Sequence, residues 1–259
     1  MAVDARGSGE AVLFVHGLGG SMNSWTPLLP AMGSWRCVRP ELPGAGRSNK
    51  AYALGEATAH RGKISAATHA EALARVCASL GIAQAHVVGH SFGTLIAQHL
   101  AVEHPQLVRS LVLYGALAEP AQAARDALKL RAQQAREQGV VGIAEAVSEF
   151  SLSANTRQQQ PVTVAYVRDS IASQCPEGYA RNCEALAEAR SARLELIGCP
   201  TLIVNGDEDP VTPLQGARAL ADKLNRARIE SLSRCGHWPM LERPAESQRA
   251  LREFLLSVR

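Results

Sequence analysis

A serine between two glycines is the feature of this sequence best suited to chemistry. A short apolar run leads into Gly89-His90-Ser91-Phe92-Gly93, and an apolar segment with helical character follows. Because Gly89 and Gly93 have no side chains, a strand and a helix can pass closely there while Ser91 adopts a strained backbone conformation. We interpret the segment as a nucleophile elbow, a strand–turn–helix unit that presents the serine hydroxyl to a carbonyl group.

The base that would activate the serine has to be chosen among eight histidines. A serine hydroxyl is a weak nucleophile near neutral pH and needs a base to accept its proton. His237 lies in a Gly-His-x-Pro loop after the last predicted strand, which favours it as this base. The other seven are interpreted as solvent-facing, packing or loop-supporting residues: His16, His60, His69, His86, His90, His99 and His104.

The acid that would orient the histidine comes from three consecutive carboxylates, Asp207, Glu208 and Asp209, which follow an earlier predicted strand. The spacing from a preceding glycine and to a following proline favours Asp209, with Asp207 and Glu208 as loop or capping carboxylates. Ser91, Asp209 and His237 then follow strand ends in the chain order expected of such a triad. A tetrahedral oxyanion also needs donors, and the backbone N–H groups of Leu18 and Phe92 are the predicted pair.

The elements that must position these residues alternate between strands and helices. Nearly all-apolar runs predict strands at residues 11–15, 36–39, 85–89, 107–114, 200–205 and 227–232. Amphipathic patterns predict helices at residues 21–32, 64–80, 214–224 and 244–258, and residues 49–63 are predicted to be irregular. Strands apolar along their whole length indicate a mostly parallel α/β sheet covered on both faces, a doubly wound architecture.

The alternation stops over residues 118–195, where only helical patterns occur. We therefore predict a core domain made of residues 1–117 and 196–259, with a cap of about four helices, residues 118–195, inserted into it. Six dispersed cysteines indicate free thiols rather than a zinc or redox site.

Composition excludes several classes of partner. Apolar residues make up 46% of the 259 residues and charged residues 20%, and the formal net charge is only +3. This balance is that of a globular domain and indicates neither a nucleic-acid partner nor a membrane partner. A polar beginning and the lack of a long apolar run predict a cytoplasmic protein. The oligomeric state stays open, with a homodimer as one option.

Taken together, five motifs resemble the capped α/β-hydrolase superfamily, and within it the 3-oxoadipate enol-lactonase and small carboxylesterase branch. The motifs are His16-Gly17-Leu18-Gly19-Gly20, Pro43-Gly44-Ala45-Gly46-Arg47-Ser48, the segment from Gly89 to Gly93, Gly206-x-x-Asp209-x-x-x-Pro213, and Gly236-His237-Trp238-Pro239-x-x-Glu242-x-Pro244. The resemblance covers residues 11–117 and 197–258. It implies no metal and no cofactor.

Two departures from that family are visible. Only ten residues precede Ala11, so the N-terminal strand hairpin usual in this branch is expected to be missing and the sheet to have fewer than eight strands. The usual Asp-x-x-Gly-His-Gly loop reads Glu-Leu-Pro-Gly-Ala-Gly at residues 41–46, which weakens any role for it beyond structure.

Three functions are compatible with these residues. Hydrolysis of a small carboxylic ester or lactone through an acyl-enzyme is the leading one. The alternatives are hydrolysis of a carbon–carbon bond in a vinylogous diketone, and a ligand receptor that keeps the fold without catalysis. Trp238, Phe150 and Tyr166 are candidate residues of the substrate pocket. Several cap arginines, if directed into the cleft, would meet a substrate carboxylate: Arg125, Arg131, Arg157, Arg168 and Arg181.

Overall fold

The computed structural model of the chain describes residues 1–49 and 64–258. Apart from Asn49, the segment predicted to be irregular lies outside the described residues, as does His60. Within the described part, no helix is both long and apolar enough to span a membrane.

A seven-stranded sheet forms the centre of the described structure, with strand order β1-β3-β2-β4-β5-β6-β7. Its strands are β1 Val3–Arg6, β2 Glu10–Val15, β3 Trp35–Pro40, β4 Ala85–His90, β5 Val108–Tyr114, β6 Thr201–Gly206 and β7 Ala227–Leu232. β1 is antiparallel to β3, and every other pair is parallel. Nearly every residue of β2, β4, β5 and β6 is buried, which explains why these strands read as continuous apolar runs.

Ten α-helices accompany the sheet in the described residues. They are α1 Ala66–Ser79, α2 Phe92–Glu103, α3 Gln122–Gln138, α4 Val141–Ser151, α5 Ala154–Gln159, α6 Pro161–Ala172, α7 Pro176–Glu188, α8 Leu214–Ala221, α9 Pro239–Glu242 and α10 Pro244–Ser257. Short 3₁₀ helices occur at Met22–Ala31, Gly46–Asn49 and Leu194–Leu196.

Helices cover both faces of the sheet. In the sheet, β3 lies on one side of β2 and β4 lies on the other. The β2–β3 and β3–β4 connections therefore run in opposite directions across the sheet. Because such crossovers are right-handed, the Met22–Ala31 helix and α1 lie on opposite faces. α1 packs against α2, and α10 packs against the Met22–Ala31 helix. The architecture is therefore the predicted doubly wound α/β sheet.

Two elements at the beginning of the chain differ from the sequence-based expectation. Met22–Ala31 is a 3₁₀ helix rather than an α-helix, because Pro27 and Pro30 lie inside it and proline cannot donate the hydrogen bonds of an α-helix. β1 was not predicted, since its residues are mostly exposed and carry no apolar alternation. It is held by pairing with β3 and by an ion pair of 2.6 Å between Asp4 and Arg39. β1 pairs with β3 and not with β2, so the two N-terminal strands form no hairpin.

Five helices, α3 to α7, lie between β5 and β6, and we call them the cap. The sequence predicted about four, and the additional one is α5, a short helix of six residues whose first turn is capped by Ser153. The cap consists of two main pairs, α3 packed against α7 and α4 packed against α6.

The close packing at the elbow generates a stability prediction. A Cβ at Gly93 would overlap the carbonyl oxygen of Val15, which belongs to buried β2. Gly93→Ala should therefore lower the free energy of unfolding by about 1–3 kcal/mol, the usual cost of overpacking. Chemical denaturation measures this change. Gly216→Ala is the matched control, because a Cβ there meets nothing within 4 Å and alanine favours its helix α8. An equal loss in both variants would contradict the packing argument.

Candidate active site

The elbow has the geometry expected of a strained nucleophile. Ser91 has φ of 51° and ψ of −119°, a rare conformation for a residue with a side chain. Its N–H donates to the carbonyl of Tyr114 at 2.9 Å, and its own carbonyl accepts from the N–H and the hydroxyl of Thr94 at 2.8 and 2.7 Å. Three hydrogen bonds thus hold the turn between β4 and α2. Backbone strain of this kind is concentrated at functional sites.

Asp209 and His237 form a buried acid–histidine pair. The Nδ1–H of His237 donates to Oδ2 of Asp209 at 2.9 Å, and the aspartate side chain is fully buried. Oδ1 of Asp209 accepts from the N–H groups of Val211 and Thr212 at 2.8 and 2.9 Å, and Oδ2 accepts from the Thr212 hydroxyl at 2.6 Å. With Nδ1 protonated, Nε2 is left as the nitrogen that can accept a proton.

The charge state of Asp209 follows from these contacts. Burial alone would raise the pKa of its carboxyl group. The positive charge that His237 carries when protonated, together with hydrogen bonds from His237 and Thr212, more than offsets burial and holds the pKa below its usual value. Asp209 is therefore an anion at neutral pH and can stabilise an imidazolium on His237.

The other two carboxylates of the cluster have different contacts. Asp207 accepts from the N–H of Cys235 at 3.2 Å and from the Ser233 hydroxyl at 3.1 Å. Glu208 accepts from the N–H of Ala154 at 3.3 Å. Both side chains belong to exposed residues. Of the three consecutive carboxylates, the structure brings only Asp209 to the histidine.

A buried glutamate shapes the loop that carries His237. Oε2 of Glu242 accepts from the N–H of Gly236 at 3.0 Å, and Oε1 accepts from the N–H of Trp238 at 3.0 Å, so both residues flanking the histidine are held. Oε2 also accepts from the N–H of Ser153 in the cap at 2.9 Å. Glu242 is 1% exposed. One carboxylate therefore fixes the histidine loop and joins it to the cap.

The glycine loop after β2 packs against the elbow. A Cβ at Gly17 would lie 3.0 Å from the carbonyl oxygen of His90 and from the Cβ of Ser91. Leu18 and Phe92 line one small cavity beside this contact, together with Gln174 and Tyr179 of the cap. The N–H of Phe92 lies in the first turn of α2 and has no partner within that helix. The two predicted oxyanion donors thus belong to residues that share a cavity.

Three buried histidines surround the site in neutral form. Burial lowers the pKa of all three: that of His16, that of His69 to about 4, and that of His90 to about 3. At His90 the nearby charge of His237 lowers the pKa further. The Nε2–H of His90 donates to the carbonyl of His237 at 2.8 Å. Nε2 of His16 accepts from the N–H of Leu42 at 3.0 Å. His16 and His90 thus position loops, in agreement with their sequence-based interpretation.

The described residues contain no hydrogen bond between the Ser91 hydroxyl and His237. The two are nevertheless neighbours in the fold, since the His90 ring, adjacent to Ser91 in the chain, lies 5.0 Å from the His237 ring. Catalytic hydrogen bonds are often long before substrate binds. Transfer of a proton from Ser91 to His237 would therefore require the two side chains to approach further when a substrate is bound.

The three predicted pocket residues have three different environments. Trp238 is buried, its ring lies 4.7 Å from that of His90, and its Nε1–H donates to the Ser151 hydroxyl of the cap at 3.0 Å. Tyr166 is half-buried and its hydroxyl donates to the hydroxyl of Ser24, in the Met22–Ala31 helix, at 3.3 Å. Phe150 is 60% exposed and lines a groove on the cap, so the structure does not bring it to the triad. Helical spacing could not show which face of α4 it occupies.

The cap is attached to the loops of the core by polar side chains that sequence reasoning did not single out. Ser170 donates to the carbonyl of Gly19 at 2.8 Å. Gln174 accepts from the N–H of Gly46 at 3.1 Å. Asn182 donates to the carbonyl of Pro43 at 3.0 Å and its Oδ1 lies 2.9 Å from Nε2 of His69. No sequence motif marks these residues. Glu242 did have a sequence signal, because it belongs to the motif that contains His237 and lies five residues after it.

A strained serine beside a buried aspartate–histidine pair, at the carboxyl ends of a mostly parallel sheet, is an arrangement typical of hydrolase sites in α/β folds. Comparison with protein families gives the same answer for the fold. Residues 10–244 match the model of the alpha/beta hydrolase fold family, and the chain belongs to that family.

Relatives and solved structures cover nearly the whole chain. A 2-hydroxymuconate semialdehyde hydrolase of Pseudomonas sp. (strain CF600) is 30% identical over 96% of this chain and 88% of its own length. A thermophilic esterase from Thermogutta terrifontis has a TM-score of 0.91 and 26% identity over 99% of this chain and 93% of its own. The enol-lactonase from Burkholderia xenovorans LB400 has a TM-score of 0.88 and 25% identity over 98% of this chain and 96% of its own.

The contacts of the acid cluster predict different effects of two conservative substitutions. Asp209→Asn should lower kcat for an ester substrate by a factor on the order of 10⁴, because the amide no longer orients the His237 tautomer or stabilises its charge. Asp207→Asn, the matched control, should change kcat by less than about tenfold, since Asp207 contacts only the Ser233–Cys235 turn. Steady-state kinetics measures both. A larger loss of kcat in Asp207→Asn than in Asp209→Asn would identify Asp207 as the acid instead.

The buried histidines predict a dependence of stability on pH. In the unfolded chain a histidine binds a proton near pH 6.5, whereas the lowered pKa of His69 keeps it neutral in the folded protein down to about pH 4. The unfolded state therefore binds more protons below pH 6.5, and the free energy of unfolding falls as pH decreases. His69→Gln should reduce the loss between pH 7 and pH 5 by on the order of 1–2 kcal/mol.

Urea denaturation at the two pH values measures this difference. His104→Gln is the control, because the His104 side chain is partly exposed and bonds Glu71 at the surface. It should give no comparable reduction. An unchanged pH dependence in His69→Gln would show that His69 is protonated in the folded protein.

Proposed function

We propose that this protein is a serine hydrolase that cleaves a small carboxylic ester or lactone, and that Ser91, His237 and Asp209 are its catalytic triad. The observation that carries the proposal is the fully buried Asp209 carboxylate 2.9 Å from Nδ1 of His237, beside a serine in a strained turn. The likeness to an esterase and an enol-lactonase over nearly the whole chain supports the same substrate classes.

The acylation step follows from the positions of the donors. Oγ of Ser91 attacks the substrate carbonyl while Nε2 of His237 accepts the serine proton. The N–H groups of Leu18 and Phe92 receive the oxyanion of the tetrahedral intermediate. His237 then donates its proton to the leaving oxygen, which departs as an alcohol, or as the hydroxyl end of an opened lactone.

Deacylation repeats the steps with water. His237 accepts a proton from a water molecule that attacks the acyl carbonyl, and the same N–H groups hold the second oxyanion. The carbon–oxygen bond to Ser91 breaks, His237 returns the proton to the serine, and the carboxylic acid leaves. Asp209 stabilises the imidazolium in both steps. Water is the only co-substrate of this route.

A carbon–carbon bond hydrolase is a second candidate, favoured by the 2-hydroxymuconate semialdehyde hydrolase that matches 96% of the chain. There the group that departs from the tetrahedral intermediate is a carbon, which has to receive a proton before or during cleavage. The same triad would form and hydrolyse the acyl-enzyme.

The experiment is a substrate panel applied to wild type and Ser91→Ala. Wild type should hydrolyse short p-nitrophenyl esters and lactones, and the variant should lose this turnover by several orders of magnitude because it lacks the nucleophile. Ser21→Ala is the matched control: its hydroxyl caps the Met22–Ala31 helix, and turnover should be retained.

Vinylogous diketones in the same panel separate the two chemistries. Faster cleavage of the diketones than of any ester or lactone would replace the proposal by the carbon–carbon alternative. If wild type and Ser91→Ala were equally inactive on all three classes while both bound ligand, the protein would be a receptor on a hydrolase fold.

A further inference from the structure

The end of cap helix α6 lies directly on the glycine loop that follows β2. A Cβ at Gly19 would come within 2.7 Å of Cγ1 of Ile171, so helix and loop leave no room for a side chain between them. The half-buried Ser170 hydroxyl donates to the carbonyl of Gly19 at 2.8 Å. Both donors that the described residues give this carbonyl come from the cap, since the other is Nε2 of Gln174 at 3.4 Å.

The glycine loop is a β-turn that begins at Gly17 and ends at Gly20. The N–H of Gly20 donates to the carbonyl of Gly17 at 3.1 Å, which closes the turn. Gly19, the third residue, has φ of 72°, whereas Leu18, the second, has no positive φ. This combination is that of a type II turn, so each peptide group of the turn has one defined orientation.

Two peptide groups of this turn link the cap to the predicted oxyanion donor. The Gly17–Leu18 group carries the Gly17 carbonyl and the Leu18 N–H, which point in opposite directions in a trans peptide. Because the N–H of Gly20 holds that carbonyl, it also fixes the direction of the Leu18 N–H. The Gly19–Gly20 group carries the same Gly20 N–H and, on its other side, the carbonyl that Ser170 holds. A chain of two hydrogen bonds therefore joins the Ser170 hydroxyl to the peptide that carries the Leu18 N–H.

The Leu18 N–H at the end of this chain is left for a ligand. Among the described residues it has no acceptor, and Leu18 lines the small cavity beside Ser91 together with Phe92. Hydrogen bonds in a chain polarise one another, so a bond donated to the carbonyl of a peptide group makes its N–H a stronger donor. The Ser170 hydroxyl thus acts on both the direction and the strength of the Leu18 N–H.

We propose that Ser170 is a positioning residue of the oxyanion hole, which sets the direction and donor strength of the Leu18 N–H through the Gly19–Gly20 peptide. The inference rests on the proposed hydrolase function, in which this N–H receives the oxyanion. Ser170 contacts no reacting atom in this scheme and acts only through the turn. Stabilisation of the oxyanion then depends on the seating of the cap, because moving α6 away would release the turn that carries the donor.

The test compares p-nitrophenyl acetate, or the panel ester that wild type prefers, with the corresponding thionoester, in which sulfur replaces the carbonyl oxygen. Both release p-nitrophenolate, but sulfur is the weaker hydrogen-bond acceptor, so the thionoester gains less from the oxyanion hole. The measured quantity is the ratio of kcat/KM for the ester to kcat/KM for the thionoester. Ser170→Ala should lower this ratio about fivefold or more, because the weakened donor affects the oxygen transition state most. A variant that only folds less well loses both activities equally and keeps the ratio.

Ser173→Ala is the matched control. It removes an exposed hydroxyl from the same end of α6, where Ser173 donates to the Ser170 carbonyl at 3.3 Å, and its ratio should equal that of wild type. An unchanged ratio in Ser170→Ala, or an equal fall in both variants, would overturn the inference while leaving the hydrolase function intact. If wild type turned over no member of the substrate panel, the hydrolase function itself would be overturned, and the inference with it.

A transition-state analogue gives a second measurement, which does not depend on thionoester turnover. A trifluoromethyl ketone forms a hemiketal with Ser91 whose oxyanion occupies the same hole, and the affinity of such analogues follows that of the transition state. Its inhibition constant should rise in Ser170→Ala by about the factor by which kcat/KM for the ester falls. An inhibition constant equal to that of wild type, while kcat/KM falls, would overturn the inference.

Two further substitutions separate the hydroxyl from the packing of the side chain. Ser170→Thr retains the hydroxyl and should restore the ratio to near that of wild type, whereas an equal fall in the alanine and threonine variants would overturn the inference. Ser170→Cys replaces the alanine variant should that variant fail to fold. The thiol is a weak donor, so the ratio should fall there as well, and a ratio equal to that of wild type would count against Ser170.

Discussion

The buried carboxylate of Glu242 is the contact on which the arrangement of the site depends. A buried charge without partners would cost several kcal/mol, and Glu242 avoids this by accepting three backbone N–H groups, from Gly236, Trp238 and Ser153. Two of these donors flank His237, the proposed catalytic base, and the third belongs to the cap. One carboxylate therefore contributes both to the position of His237 and to the seating of the cap.

This shared contact joins the cap to the loop that carries the proposed catalytic base. Ser151, the last residue of α4, accepts through its carbonyl from the N–H of His237 and through its hydroxyl from the indole of Trp238. His90, at the end of β4 in the core, supports the same loop by donating to the His237 carbonyl. The histidine loop is thus held from the core and from the cap together, and a displacement of α4 would be transmitted to it through two direct hydrogen bonds, one to His237 and one to Trp238.

The parts of the fold that could be predicted from sequence are those whose signals are local. β4 and β6 are buried on both faces and therefore appear as continuous apolar runs, and the glycines around Ser91 are required by the turn itself. β1 was not predicted because it is held by pairing with β3 and by the Asp4–Arg39 ion pair, and neither interaction requires an apolar pattern in the sequence. Which face of α4 carries Phe150 depends on how α4 packs against α6. The spacing of residues within α4 cannot predict this packing.

The proposed triad alone would not select a substrate, because the same serine, histidine and aspartate would serve ester, lactone and carbon–carbon bond cleavage. Selection has to come from contacts that hold the rest of the molecule while the carbonyl reaches Ser91, and such remote contacts raise the rate only if they improve the orientation of the reacting group. The small cavity beside Ser91 meets this requirement, since Gln174 and Tyr179 of the cap line it together with Leu18 and Phe92 of the core. A substrate bound in that cavity would contact the core and the cap together, so the way the cap is seated on the core decides which groups fit beside the reacting carbonyl.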